Sequence, residues 1–166
     1  MSVIRPAKLQ DVPDILRMIH DLAIYEREPD AVRNTPELLQ SALFGENPRV
    51  FAAMAENAAG EVQGFALWFL NYSTWEGVHG IYLEDLYVMP DARGEGHGTA
   101  LLQHLAAIAV HNGYARVEWS VLNWNERAID FYQGLGAFPQ REWSTFRLTG
   151  AALAAFGTDS ETLVRG

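Results

Sequence analysis

Two adjacent carboxylates, Glu84 and Asp85, interrupt the apolar and aromatic run Ile81-Tyr82-Leu83-Glu84-Asp85-Leu86-Tyr87-Val88. Charge inside such a run is costly unless it is solvated, paired or put to use. The pair is therefore either a solvated or paired strand edge, or a site where a carboxylate holds or deprotonates an ammonium. In the second case partial burial raises its pKa toward that of a useful base. Period-two alternation predicts Tyr82, Glu84, Leu86 and Val88 on one face. Just beyond lies a second candidate, Arg93-Gly94-Glu95-Gly96-His97-Gly98-Thr99. Three glycines at alternate positions let backbone N–H groups face outward, and the dipole of a following helix favours an anion such as a phosphate. A sterically tight strand-to-helix turn with no ligand accounts for the same spacing. Other phosphate loops fit poorly: the Gly-Lys-Ser/Thr of a Walker loop is missing, and Thr99 stands where a dinucleotide fingerprint needs its third glycine. The histidines at 20, 79, 97, 104 and 111 are scattered. His104 and His111 lie too far apart on one helix for an i, i+4 metal pair, and no metal site is predicted.

These residues need elements to hold them. The glycine turn links a strand-like run, His79 to Met89, to the clearest helix, Gly96 to Asn112. Leu101, Leu102, Leu105, Ile108 and Ala109 recur on one face of that helix and Gly113 ends it. A strand from Arg116 to Leu122 completes a βαβ unit, whose ligand should sit at the helix N-terminus. Upstream, a strand over Val3 to Arg5 precedes a helix with Asp11 as N-cap and Pro13 in its first turn. Thr35-Pro36 opens a second helix, and strands follow at Arg49 to Glu56 and Val62 to Tyr72. Downstream come a short helix from Glu126 to Leu135, a strand from Trp143 to Leu148, an Ala-rich helix and a frayed tail over 157–166. The order β-α-α-β-β-β-α-β-α-β predicts a mixed α/β fold on one central sheet, a single domain over 1–166.

Composition bounds the function. The 166 residues are 49% hydrophobic and 11% aromatic, enough for a packed core and unlike a disordered chain or a coiled coil. A formal charge of −9 argues against a nucleic-acid partner and mildly favours a cationic ligand. With no cysteine, disulfides, thiolate nucleophiles and Cys-based zinc sites are excluded. The start, Met-Ser-Val-Ile-Arg-Pro, carries no apolar signal region, and the longest apolar stretch, Phe65 to Leu70, is too short to span a bilayer. A cytoplasmic protein with no membrane partner is expected.

Arg93-x-x-Gly96-x-Gly98 resembles the acetyl-CoA pyrophosphate loop of the GNAT N-acetyltransferase superfamily. The resemblance runs from about residue 3 to residue 150. It takes in Ile4-Arg5-Pro6-Ala7, Leu22-Ala23-Ile24-Tyr25-Glu26, Asn71-Tyr72-Ser73-Thr74-Trp75, the Glu84-Asp85 run, Val121-Leu122-Asn123-Trp124-Asn125, Phe131-Tyr132 and Leu135-Gly136-Ala137. These motifs are similar to the diamine acetyltransferase branch, that of the spermidine/spermine and thialysine enzymes. Asn71 to Trp75 and Glu142-Trp143 lean to the thialysine side.

The resemblance implies a GNAT-type mixed central sheet flanked by helices, with a splayed central strand pair that takes the pantetheine arm of acetyl-CoA. It places the backbone of Leu86, Tyr87 and Val88 along that arm. Gly94, Glu95, Gly96, His97, Gly98 and Thr99 wrap the pyrophosphate, and Arg93 is either a charge-assisted contact or a solvated turn residue. Asn125 matches a coenzyme contact and can also cap a helix. Tyr132 occupies the place of the general acid: a phenol with a pKa of about 10 stays protonated at neutral pH and can protonate a departing thiolate. The corresponding base is Glu84 or a water chain. Tyr25, Glu26, Glu84, Asp85, Glu118, Trp119 and Glu142 match amine-holding positions, and carboxylates and aromatic faces suit an ammonium chain. The implied reaction is direct attack of a primary amine of a small diamine, polyamine or lysine-like amino acid on acetyl-CoA, since no cysteine can carry the acetyl group. The implied assembly is a homodimer, with Trp68, Tyr72, Trp75 and Trp143 serving either its interface or the core. Two alternatives stay open: acetylation of a protein N-terminus, protein lysine or other amino metabolite, and a CoA-sensing module that does not turn over.

Overall fold

Strands β1 (Val3–Pro6), β2 (Phe51–Glu56), β3 (Val62–Ser73), β4 (Val78–Val88) and β5 (Val117–Trp119) form one sheet in chain order in the computed structural model, which describes residues 2–158. Each neighbouring pair is antiparallel except β4–β5, which is parallel and joined through helix α3 (His97–Asn112). Helices α1 (Val12–Tyr25) and α2 (Pro36–Phe44) lie between β1 and β2 in the chain. These elements belong to a compact unit that ends at Leu122; a second unit begins at Asn123.

Periodicity explains which faces meet. Val12, Ile15 and Met18 of α1 and Leu39 and Leu43 of α2 pack on Met54, Phe65, Leu67 and Tyr87 of the sheet. The opposite face carries Trp68, whose ring meets His104 of α3 at 6.4 Å. There Ala53, Ala66, Ile81 and Leu83 are buried along with Leu101 and Leu105 of α3. Each fully buried large side chain contributes roughly 1.5–3 kcal/mol relative to exposure. Gly64 is required by crowding, because a Cβ there would lie 2.4 Å from the Tyr87 carbonyl oxygen.

The β3–β4 ladder contains the feature that matters most for the site. Leu67 pairs with Asp85 but Trp68 pairs with Leu83, so Glu84 is an extra residue in a β-bulge. Directly opposed residues share a face. Before the bulge, Ile81 and Leu83 therefore face α3; after it, Asp85 and Tyr87 face α1 and α2. The expected common face of Tyr82, Glu84, Leu86 and Val88 is accordingly incorrect. Tyr82 stacks on its partner Phe69 at 5.1 Å on the α1 side, whereas Leu86 pairs with Ala66 on the α3 side. One inserted residue reverses the alternation.

The splay expected of the central pair is present. β5 accompanies β4 only over Ile81, Tyr82 and Leu83, and β4 continues to Val88 without it.

Other expectations need correction. Asp11 is the N-cap residue of α1 as expected, but its side chain makes no capping bond to that helix. It instead accepts hydrogen bonds from Arg5 at 2.6 and 2.9 Å and from the Lys8 N–H at 2.6 Å, while Arg5 also pairs with Glu56 at 2.5 Å. Burial alone would raise the Asp11 pKa, yet these donors and the Arg5 charge together hold it below the ordinary carboxylate value. That stabilisation is present above the unfolded pKa and is lost as pH falls through the folded one. Trp68 is core, buried to 7% exposure, and so is not an interface residue.

In the second unit, α4 (Glu126–Gly134) and α5 (Gly150–Thr158) are the regular elements among the described residues. The strand expected from Trp143 to Leu148 is not formed: Trp143 and Phe146 are exposed, and no ladder holds the segment. Strand propensity needs a partner to act on. Residues 159–166 of the expected frayed tail lie outside the described residues, and 157–158 belong to α5.

Candidate active site

Past the bulge, the open side of β4 offers backbone groups that no neighbouring strand pairs. The Met89 N–H donates to the Gln63 carbonyl, and alternate residues of an antiparallel ladder turn to the same partner. Tyr87 thus directs its peptide groups to β3, while Leu86 and Val88 direct theirs to the open side. Of the three residues expected along a coenzyme arm, two present their amides there; Tyr87 contributes its ring to the core.

The strand runs through a 3-10 turn (Pro90–Ala92) into the glycine loop. Gly94 and Gly96 have φ of +91° and +89°, a region L residues rarely occupy, and a Cβ on either would meet nothing within 4 Å. These glycines are therefore demanded by backbone conformation, and the space beside them is open. α3 starts immediately afterwards with no side-chain cap. Its first-turn N–H groups have no intrahelical acceptor and suit an anion.

His97 turns its side chain inward, 2% exposed, with Nδ1 at 2.8 Å from the Ser2 hydroxyl. Its Nε2 lies 3.4 Å from the Glu95 carboxylate, so the ring braces the loop from inside and only its backbone is left for a ligand. The Arg93 Nε–H donates to the Val88 carbonyl at 3.0 Å, and its guanidinium lies 5.2 Å from the Tyr25 ring and 5.6 Å from that of Tyr87. Arg93 is thus packed between the end of α1 and the end of β4 rather than solvated. The open strand edge, the glycine loop and the uncapped helix fit a long phosphorylated carrier such as acetyl-CoA.

The bulge turns Asp85 into a cleft of about 290 Å³ lined by Ile19, Leu22, Glu26, Val32, Arg33 and Asn34 among others. Such a volume lies just under the lower limit of small-molecule sites, about 300–1,000 Å³. Burial, then the charges of Glu84 and Glu26, push the Asp85 carboxyl up to about 6. Burial also raises the Glu26 pKa. Glu84 itself is exposed at the bulge, at the point where β5 leaves β4.

The first unit thus brings Glu26 and Asp85 together, with Glu84 adjacent in the chain and Tyr25 beside Arg93. Glu118 is engaged elsewhere, accepting from Asn71 Nδ2 at 3.0 Å and pairing with Arg116 at 2.8 Å. Trp119 opposes Leu83 at the last paired position before the splay. Asn125, Tyr132 and Glu142 belong to the second unit. Asn125 caps α4, its Oδ1 accepting the Ala128 N–H at 3.3 Å. Tyr132 lies on α4 with its ring 5.4 Å from Phe131. Glu142 is exposed in a turn. Sequence reasoning missed Arg33 and Asn34, which sit in the connection between α1 and α2 where no periodicity marks a cleft wall.

An open strand edge leading to an anion loop, beside a carboxylate-lined cleft, suits a transferase that lays an activated carrier along the edge and presents an amine to it. The family profile described as Acetyltransferase (GNAT) family matches residues 14–137, and the chain belongs to this family of acetyl-CoA-dependent enzymes. It is similar to the thialysine N-epsilon-acetyltransferase of Bos taurus, 41% identical over 161 residues, covering 91% of this chain and 94% of that protein. An L-ornithine N5-acetyltransferase of Arabidopsis thaliana is 33% identical, covering 93% and 87%. Among solved structures, an integron cassette protein from the mobile metagenome of V. cholerae superposes with a TM-score of 0.78 at 27% identity, covering 94% of this chain and 97% of that one. Among the described residues no helix is long and apolar enough to cross a membrane.

Proposed function

We propose that this N-acetyltransferase acetylates a terminal amine of a small diamine or lysine-like amino acid, by direct attack within a ternary complex. The observation that carries this reading is the cleft shared by Glu26 and Asp85. Its size suits one small molecule, and two carboxylates suit a cationic head. The names of the relatives, thialysine and L-ornithine acetyltransferases, support the same substrate class.

Acetyl-CoA supplies the activated acetyl group when bound. Along the open edge, the Leu86 and Val88 amides orient the carrier arm, and the loop from Arg93 to Thr99 receives the phosphates, with Asn125 as a further contact. Asp85 and Glu26 hold the charged amine. Glu84, solvated at the bulge, takes the proton that the attacking nitrogen gives up. Tyr132 returns a proton to the departing thiolate. The two units act as one domain over 1–166, a reading supported by a family match that runs across the Leu122/Asn123 boundary.

Thiol release from acetyl-CoA tests the reaction. Diamines and lysine-like amino acids should be turned over well, neutral monoamines of equal length poorly and peptides not at all. In the same assay Gly96→Val, forcing a β-branched residue to positive φ, should weaken acetyl-CoA binding. Peptide acetylation at comparable kcat/KM, or unaltered CoA binding by a folded Gly96→Val protein, would overturn the assignment.

We also propose a cytoplasmic homodimer. Exposed Tyr72, Trp75 and Trp143 are compatible with an interface. Light scattering that found an active monomer at assay concentration would exclude the dimer.

A further inference from the structure

The acidic cleft contains one cation in its wall. Arg33, in the connection between α1 and α2, lines the same space as Glu26 and Asp85, with the Asn34 amide next to it. Its Nη1 donates to the Asp30 carbonyl, which holds the side chain locally, and among the described residues it makes no ion pair. A guanidinium carries five donors in a planar fork matched to a carboxylate, so most of its capacity remains for a ligand. A cleft built only for a polyamine gains nothing from a fixed positive charge, which repels every ammonium of the substrate. A cleft lined by both signs suits a head that carries both.

We propose that Arg33 is a specificity-determining residue that binds the α-carboxylate of an amino-acid substrate, while Glu26 and Asp85 hold its ammonium groups, so that the enzyme prefers a lysine-like amino acid to the diamine that differs from it only by loss of the carboxylate. This rests on the activity proposed above and narrows its substrate class.

The test is a matched pair: thialysine against bis(2-aminoethyl) sulfide, repeated with L-lysine against 1,5-diaminopentane, with thiol release as the readout. Wild type should favour the amino acid of each pair in kcat/KM. Arg33→Gln should lower kcat/KM for the amino acid by about 10- to 100-fold, the worth of a charge-assisted bond, chiefly through KM. For the diamine kcat/KM should rise. Arg33→Glu should carry the reversal further, and Arg33→Lys, keeping the charge without the fork, should recover part of the preference. Arg33 is exposed, and a melting curve matching wild type establishes that each variant is folded. Equal losses for both members of a pair, a loss confined to kcat, or a wild type that favours the diamine would each overturn the role of Arg33 with the activity left standing. No thiol release with any of the four amines would instead overturn the proposed activity, and the inference with it.

Discussion

Tyr132→Phe should lower kcat by about 10²–10⁴, the usual worth of a general acid, with little change in acetyl-CoA affinity. The substitution keeps the ring that packs 5.4 Å from Phe131 and removes the phenolic hydroxyl. A structural role for the ring would survive this change, so a loss confined to kcat, with a wild-type melting curve and wild-type acetyl-CoA affinity, isolates proton donation. The pH profile adds a second readout. Above the pKa of the departing coenzyme thiol the thiolate leaves without a donor, so the deficit should narrow there. Steady-state kinetics under chemistry-limited conditions, from neutral pH upward through the thiol pKa, would measure both effects. Full turnover by a folded Tyr132→Phe protein would reject Tyr132 as the acid.

Asp85→Asn should make the protein more stable at neutral pH and a poorer enzyme. The folded pKa of Asp85, about 6, lies above its ordinary 3.8 because of burial and then the neighbouring charges of Glu84 and Glu26. The ionised form is therefore the disfavoured one. Its destabilisation is absent below about pH 3.8, grows as pH rises through 6 and is complete above that. Replacing the carboxylate should add on the order of 3 kcal/mol at about pH 7.5 and nothing near pH 3. Urea melts at the two pH values measure the difference. The same change should cut kcat/KM for the amine by about 10- to 100-fold through KM, since a charge-assisted bond to the ammonium is lost. In wild type, the amine KM should rise as pH falls through about 6. An Asp85→Asn protein with unchanged stability and unchanged KM would take Asp85 out of the amine site.

Much of this was readable along the chain because it depends on near neighbours. The glycines at 94 and 96 announce a positive-φ turn before a helix wherever they occur, and the structure gives them φ of +91° and +89°. The Leu101, Leu102, Leu105 and Ala109 stripe gives α3 one buried face by periodicity alone. The Glu84-Asp85 pair stands out for its charge in an apolar run. None of these needs a distant partner to be recognised.

What alternation could not supply was the separation of the two carboxylates. Glu84 is solvated and Asp85 enters the cleft because β4 carries one residue more than β3 over this stretch, and register is a property of two strands. For the same reason the Trp143 to Leu148 segment reads as a strand by composition yet forms none, since a strand is held by the ladder beside it. Arg33 is the clearest case. An arginine in a polar connection reads as solvated, and only the packing of α1 and α2 on the sheet brings it to one cleft with Asp85, fifty-two positions later in the chain. Local chemistry follows from residue type, but the grouping of charges into a site follows from contacts between segments remote in sequence.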